Sequence, residues 1–204
     1  MQGYILKVTR AKNEDLIVTI LTPATIHTLY RFYGARHSTI NLGYKIDFEI
    51  EYTLGYMPKL RRITHLGFSW LKTLPKALIW QRFITLLAKH LEGIEEIDPF
   101  YFELLEKIAK KLAKQDAKRV MIESYIELLR FEGRLHTHFE CLVCETPIQE
   151  DPVLVRAFLS AHSSCIPKRT FDRKKIAYAM RYADTQFLED EEIEGLWQIL
   201  QEGL

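Results

Sequence analysis

Ile46-Asp47-Phe48-Glu49-Ile50-Glu51-Tyr52 alternates apolar and acidic side chains without a break. A strand points successive side chains to opposite faces, so a period of two marks a strand with one face buried and one in water. The flanking sequence reads the same way. Residues 15–21 and 25–33 are rich in β-branched and aromatic side chains, which pack well on a pleated surface. Leu21-Thr22-Pro23-Ala24-Thr25 supplies a turn between them, and Gly34, Gly43 and residues 55–58 punctuate the rest. Residues 3–9 and 60–66 bring the total to about five short strands. A small closed or partly open barrel is the economical arrangement, because closure removes most unpaired edges.

After Pro75 the period changes. Tyr101, Leu104, Leu105, Ile108 and Leu112 recur at helical spacing behind Asp98 and Pro99, a cap and a first-turn proline. Val120, Met121, Ser124, Tyr125, Leu128 and Leu129 repeat the pattern until Gly133 offers a stop. Residues 76–91, 172–183 and 189–202 read as further helices. The last opens on Glu189-Asp190-Glu191-Glu192, where acidic side chains complement the helix macrodipole; that reading is preferred to an acidic interaction motif.

The 204 residues are 48% hydrophobic, enough for one large domain or two small ones with real cores. No run approaches the roughly 18 apolar residues of a membrane span. Met1-Gln2-Gly3-Tyr4 runs straight into an amphipathic pattern without the features of a signal peptide, so a cytoplasmic protein is expected. The net charge of +1 conceals an asymmetry. Residues 1–75 carry ten Lys or Arg against five Asp or Glu, a balance of +5, while the remainder stands at −4. A basic N-terminal part points to a nucleic-acid partner, although an ordinary solvated surface can carry the same excess.

Cys141-Leu142-Val143-Cys144 is followed by His162-Ser163-Ser164-Cys165. All three cysteines of the chain are thereby used. Structural zinc takes four thiolate or imidazole ligands in a tetrahedron, and a two-residue gap lets one tight turn present two of them. A lone CxxC also fits a redox motif or two buried thiols, but neither accounts for the third cysteine at matching spacing. His138-Phe139-Glu140 invites comparison with the HxE of zinc deaminases, whose PCxxC lies well downstream; here the CxxC follows at once, and the comparison is rejected. Four protein ligands leave no open position, so the expected zinc is structural.

Alternation over residues 25–33 puts Ile26, Tyr30 and Phe32 on one face and His27, Leu29, Arg31 and Tyr33 on the other. With the first face as core, Arg31 and Tyr33 point outward together, a charge beside a stacking platform. Gly34-Ala35-Arg36-His37-Ser38 follows as a basic turn, and Lys59, Arg61 and Arg62 form a second cluster. Barrels that hold single strands pair a positive groove with aromatic stacking, while phosphate contacts give salt-dependent affinity without sequence readout. Lys168, Arg169, Arg173, Lys174 and Lys175 make a further candidate patch, ranked lower because a one-sided helix often carries such charges.

Tyr4-Ile5-Leu6, Asp15-Leu16-Ile17-Val18-Thr19-Ile20-Leu21-Thr22, the Gly34-Ala35-Arg36 turn, Ile46-Asp47-Phe48-Glu49-Ile50 and Leu60-Arg61-Arg62 resemble, in order and spacing, the N-terminal barrel of the RecO family. The helical remainder, interrupted by two paired-ligand turns, resembles that family too. Two positions depart from its pattern: His162 stands where a cysteine is usual, and His37 where a second arginine is common. The resemblance implies an α+β chain. An OB-fold barrel (residues 1–73) would bind DNA, and a helical domain (74–204) would contain a zinc knuckle at about 139–168.

It further implies a nucleoid-associated, non-enzymatic recombination mediator. Such a protein binds single- and double-stranded DNA, anneals complementary strands and helps load RecA onto strands covered by single-stranded-DNA-binding protein, working with RecR and without a membrane. Arg36 carries over as a DNA contact, with Arg31, Tyr33, Lys59, Arg61 and Arg62 added from placement on the barrel. Cys141, Cys144, His162 and Cys165 carry over as zinc ligands. No phosphate-binding glycine loop, activated nucleophile or catalytic carboxylate pair is recognisable. The alternatives are a zinc-bearing protein-interaction adaptor that does not touch DNA, and a thiol-redox or metal enzyme built on the CxxC.

Overall fold

The computed structural model describes residues 1–36 and 39–204; His37 and Ser38 of the basic turn lie outside the described residues. The chain divides into two compact units, Met1–Lys114 and Gln115–Leu204.

The first unit is built on a closed barrel of five strands: β1 (Gln2–Arg10), β2 (Leu16–Leu21), β3 (Ile26–Arg31), β4 (Lys45–Glu51) and β5 (Lys59–His65). Their order is β1-β2-β3-β5-β4, closed by β4 on β1, with antiparallel seams except for the single parallel pair Tyr30–Lys59 between β3 and β5. Ile5, Leu16, Val18, Ile20, Leu29, Ile46, Phe48 and Leu60 fill the interior. The alternation seen in β4 is thereby realised: Ile46 and Phe48 are buried, while Asp47 and Glu49 face water. Each fully buried aliphatic side chain contributes about 1.5–3 kcal/mol, which fixes the pairing register, because a one-residue slip would invert every face.

Two helices complete this unit, α1 (Leu74–His90) and α2 (Phe100–Leu112). Trp80, Phe83, Ile84 and Leu87 make the buried stripe of α1, and Leu104, Leu105, Ile108 and Leu112 that of α2. The Trp80 indole N–H donates to the Gly43 carbonyl at 2.9 Å, and Trp70 donates to the Ala109 carbonyl at 2.9 Å. These contacts place the first two helices with the barrel. The change of hydrophobic period near Pro75 and the boundary in packing after Lys114 are therefore separate features of the chain.

The second unit holds α3 (Ala117–Phe131), a two-stranded ladder of β6 (Val153–Leu154) and β7 (Ser160–Ala161), α4 (Arg173–Tyr182) and α5 (Asp190–Gln201). Asp116 caps α3 by accepting from the Arg119 backbone N–H. The Arg119 guanidinium reaches the Thr185 carbonyl at 2.7 Å and the Leu188 carbonyl at 2.9 Å, pinning the turn that leads into α5. That helix begins with a capping box formed by Glu189 and Glu192, so the acidic run serves the helix terminus. No helix among the described residues is long and apolar enough to cross a membrane.

Candidate functional site

In the second unit, Cys141 opens a tight turn in which the Glu145 N–H donates back to the Cys141 carbonyl at 2.8 Å. His162 directly follows β7, and its carbonyl accepts the Cys165 N–H at 3.1 Å in a second turn. Leu142 N–H donates to the Ser160 carbonyl at 3.0 Å, tying the first turn to the strand that delivers the second. Beneath the two turns lies a small apolar core of Cys141, Ile148, Val153 and Ala161.

One donor atom from each of Cys141, Cys144, His162 and Cys165 lies within 4.8 Å of the others. Cys144 Sγ stands 3.3 Å from His162 Nδ1, and the His162 backbone N–H points at Cys141 Sγ from 3.4 Å. Around a zinc-sized ion with metal–sulfur bonds of about 2.3 Å, tetrahedral donors sit roughly 3.5–3.8 Å apart, so the four side chains fit such a group with small adjustments. Thr146 Oγ1 lies 3.2 Å from Cys144 Sγ, and the Glu150 carboxylate stands 3.9 Å from His162 Nε2, the ring nitrogen turned away from the sulfurs. Such outer partners orient metal-bound imidazole and thiolate.

The electrostatics match. Burial opposes ionisation of Cys141, but N–H groups of Cys144, His162 and Val143 outweigh it and bring the thiol down to about 6. Cys144 is also lowered, first by Thr146, whereas burial and the two neighbouring sulfurs push Cys165 up to about 11. The first thiolate thus forms readily and the last is resisted by the charge already present, a resistance that a cation at the centre removes. The cluster can hold a metal ion.

The barrel candidates are placed differently from the simple alternation. Val18 in β2 lies directly opposite Leu29 in β3, and paired residues share a face. Val18 and Leu29 are buried in the barrel, so the inward face of β3 is that of His27, Leu29 and Arg31, and Phe32 is 43% exposed. The expectation that Arg31 and Tyr33 point outward together is therefore corrected. Arg31 runs along the barrel end opposite Leu16, under a turn where a Cβ on Gly34 would collide with both side chains. Its Nη1 donates to the Leu60 carbonyl at 3.1 Å while its Nε is buried without a partner among the described residues.

Tyr33 is exposed, its backbone N–H held by the buried Asp15 carboxylate at 2.6 Å, and the Arg36 guanidinium lies 5.0 Å over its ring. Arg36 also pairs with Glu14. Glu51 pairs with both Lys59 (3.3 Å) and Arg61 (2.7 Å), and Glu49 pairs with Arg62 (3.1 Å). The sequence reading omitted these acid partners. Their signal lay in the acidic outward face of β4, since β5 pairs with it in the register Glu51–Lys59 and Glu49–Arg61.

The outer surface of β1, β2 and β3 also bounds a groove of 720 Å³, whose lining includes Lys7, Thr19, Thr28 and Tyr52 with Glu92 and Glu95. Of the patch near residue 170, Lys168 pairs with Glu202, Arg169 with Glu191, and Lys175 with Glu189 and Glu192, while Arg173 lies over the Phe139 ring. Lys174 has no carboxylate at ion-pair distance among the described residues.

No curated protein matches the chain. Residues 1–71, which span the barrel, match the family described as RecO N terminal.

Proposed function

We propose that this chain is a DNA-binding recombination mediator without catalytic activity. The observation that carries the reading is the closed barrel β1-β2-β3-β5-β4 matching the RecO N-terminal family, with Arg36, Lys59, Arg61 and Arg62 on its outer surface. Each of these cations has an acid partner, but exposed pairs are worth only about 0–1 kcal/mol, so a phosphate can replace the carboxylate at little cost. The partners set the affinity: Glu14, Glu49 and Glu51 reduce the local potential, and the resulting binding is moderate and steeply salt-dependent. Phosphate contacts carry no sequence information, so two strands can be held in common while base pairing selects the partner.

The Cys141, Cys144, His162 and Cys165 centre is proposed to hold zinc in a structural role: three sulfurs and one imidazole nitrogen suit that ion, and four protein ligands complete its shell. Single- and double-stranded DNA, RecR, and strands coated by single-stranded-DNA-binding protein and destined for RecA are the proposed partners.

Purified protein titrated against fluorescent single- and double-stranded DNA at several salt concentrations, with annealing followed in the same samples, tests the reading. Affinity that falls steeply with salt, together with faster annealing, supports it. Absence of binding at low salt removes it and favours the protein-interaction adaptor, for which the carboxylates beside Arg36, Lys59, Arg61 and Arg62 are the supporting observation. ATP hydrolysis or nuclease activity in the pure protein also counts against a mediator.

A further inference from the structure

Helix α4 carries an outward face that neither the metal centre nor the barrel uses. Ile176, Ala179 and Met180 are its buried residues. The 3.6-residue period therefore turns Lys174, Tyr178, Arg181 and Tyr182 to the other side. The rings form a fixed cluster. Tyr178 lies 4.8 Å from Tyr182 and meets Phe187, in the following turn, edge-on at 4.7 Å. Gln186 Nε2 donates to the Tyr178 hydroxyl at 2.6 Å, holding that ring in place. Tyr182 is 56% exposed and Phe187 53%.

Charge completes the surface. The Arg181 guanidinium sits 5.5 Å over the Tyr182 ring. Among the described residues no carboxylate lies at ion-pair distance from Lys174 or Arg181; Asp172, the N-cap, is the acid that feels the charge of Lys174. Neighbouring Lys168, Arg169 and Lys175 are all paired. Arg130 donates to the Met180 and Arg181 carbonyls at 2.7 and 3.1 Å, so the end of the helix is anchored beneath the exposed rings.

We infer that α4 is a stacking platform for single-stranded nucleic acid, with bases on Tyr182 and Phe187 and phosphates at Lys174 and Arg181. Unpaired bases offer free π-faces to exposed rings, whereas duplex bases are already stacked, and an acidic peptide satisfies the cations but not the rings. The two cations stand about 10 Å apart along the helix, with Tyr178 between them and Tyr182 directly after Arg181. This inference rests on the DNA-binding reading and adds to it a site outside the barrel.

Fluorescence anisotropy of labelled oligothymidylate with the full chain, measured across salt concentrations, tests it. Tyr182→Ala is expected to weaken binding about tenfold and Tyr182→Phe to leave it within about twofold, as stacking predicts. Lys174→Glu combined with Arg181→Glu should reduce the log–log salt slope by about 1.4, two phosphates at roughly 0.7 each. Ultraviolet crosslinking in the unsubstituted protein should map to the peptide holding Tyr182 or Phe187.

If these variants bind like the parent while Arg61→Glu with Arg62→Glu does not, the platform is overturned and the barrel reading stands. Loss confined to the α4 variants supports the platform and overturns the barrel. No binding by the parent chain overturns both, and capture of a polyglutamate peptide in place of oligothymidylate assigns the face to acidic protein. Equal losses for Tyr182→Phe and Tyr182→Ala overturn stacking.

Discussion

The indole of Trp80 donates to the carbonyl of Gly43 and fills the space that a Cβ at Gly43 would occupy. Gly43 has φ +78, a conformation that L side chains rarely adopt, so this position is closed to other residues twice over. Gly43→Ala is expected to cost about 2–4 kcal/mol, combining left-handed strain with displacement of the indole. Urea unfolding measures it. A loss below about 1 kcal/mol would show that the loop and α1 relax apart easily.

Tyr4 and Lys45 converge on one oxygen of Glu106, each at 2.7 Å. Burial alone would raise the Glu106 carboxyl, but the Lys45 ammonium and the Tyr4 hydroxyl outweigh it and hold it below its ordinary value. A carboxyl lowered by folding stabilises the native state above the unfolded value, and that contribution is lost as pH falls through the folded value. The unfolding temperature should therefore drop as pH falls from about 5 downward, and Glu106→Gln should flatten that part of the profile. An unchanged acid limb in Glu106→Gln would assign the loss to other carboxylates.

Glu51 restrains two cations at once, Lys59 and Arg61. Glu51→Gln keeps the shape, removes one negative charge and leaves both cations available to phosphate. On the DNA-binding reading, affinity at low salt should rise about fivefold, corresponding to about 1 kcal/mol of surface electrostatics, with a steeper salt slope. Unchanged or weaker binding would place the DNA path away from β4 and β5.

Cys144→Ser removes one of four candidate metal ligands from a cluster that rests on a core of four buried residues, Cys141, Ile148, Val153 and Ala161. If the proposed zinc is bound, metal content should fall and, because a structural metal couples to local folding, the unfolding transition should drop by roughly 10 °C. A chelator should reproduce that drop in the parent chain, with zinc restoring it. On the DNA-binding reading, contacts borne by the barrel should survive in part. Complete loss of DNA binding by a folded Cys144→Ser protein would show that the knuckle belongs to the DNA site.

The periods of two and 3.6 were legible in the chain because burial acts on each residue in proportion to its apolar area, and neighbours in sequence share an element. Hence the five barrel strands and the helices α1 to α5, including the buried stripe of α2, fall where the sequence places them to within three residues at each end, while the short β6 and β7 were not read from it. The four metal-ligand candidates were legible for a similar reason: each pair sits in one local turn, and only the meeting of the two turns needs long-range structure.

What the sequence did not yield is whatever depends on register between distant strands. Whether Leu29 or Tyr30 faces the barrel interior is settled by Val18 across the seam, and the pairing of Arg61 with Glu51 by the antiparallel partnership of β5 with β4. Charge, too, reads differently once folded: ten basic residues in a stretch of 75 look like an open patch, yet most of the barrel candidates stand within ion-pair reach of a carboxylate. Local chemistry thus determined the elements and the candidate ligand set. The tertiary structure decided which faces turn outward and which charges remain available, because hydrogen-bonded register and ion pairing are properties of residues brought together only by the fold.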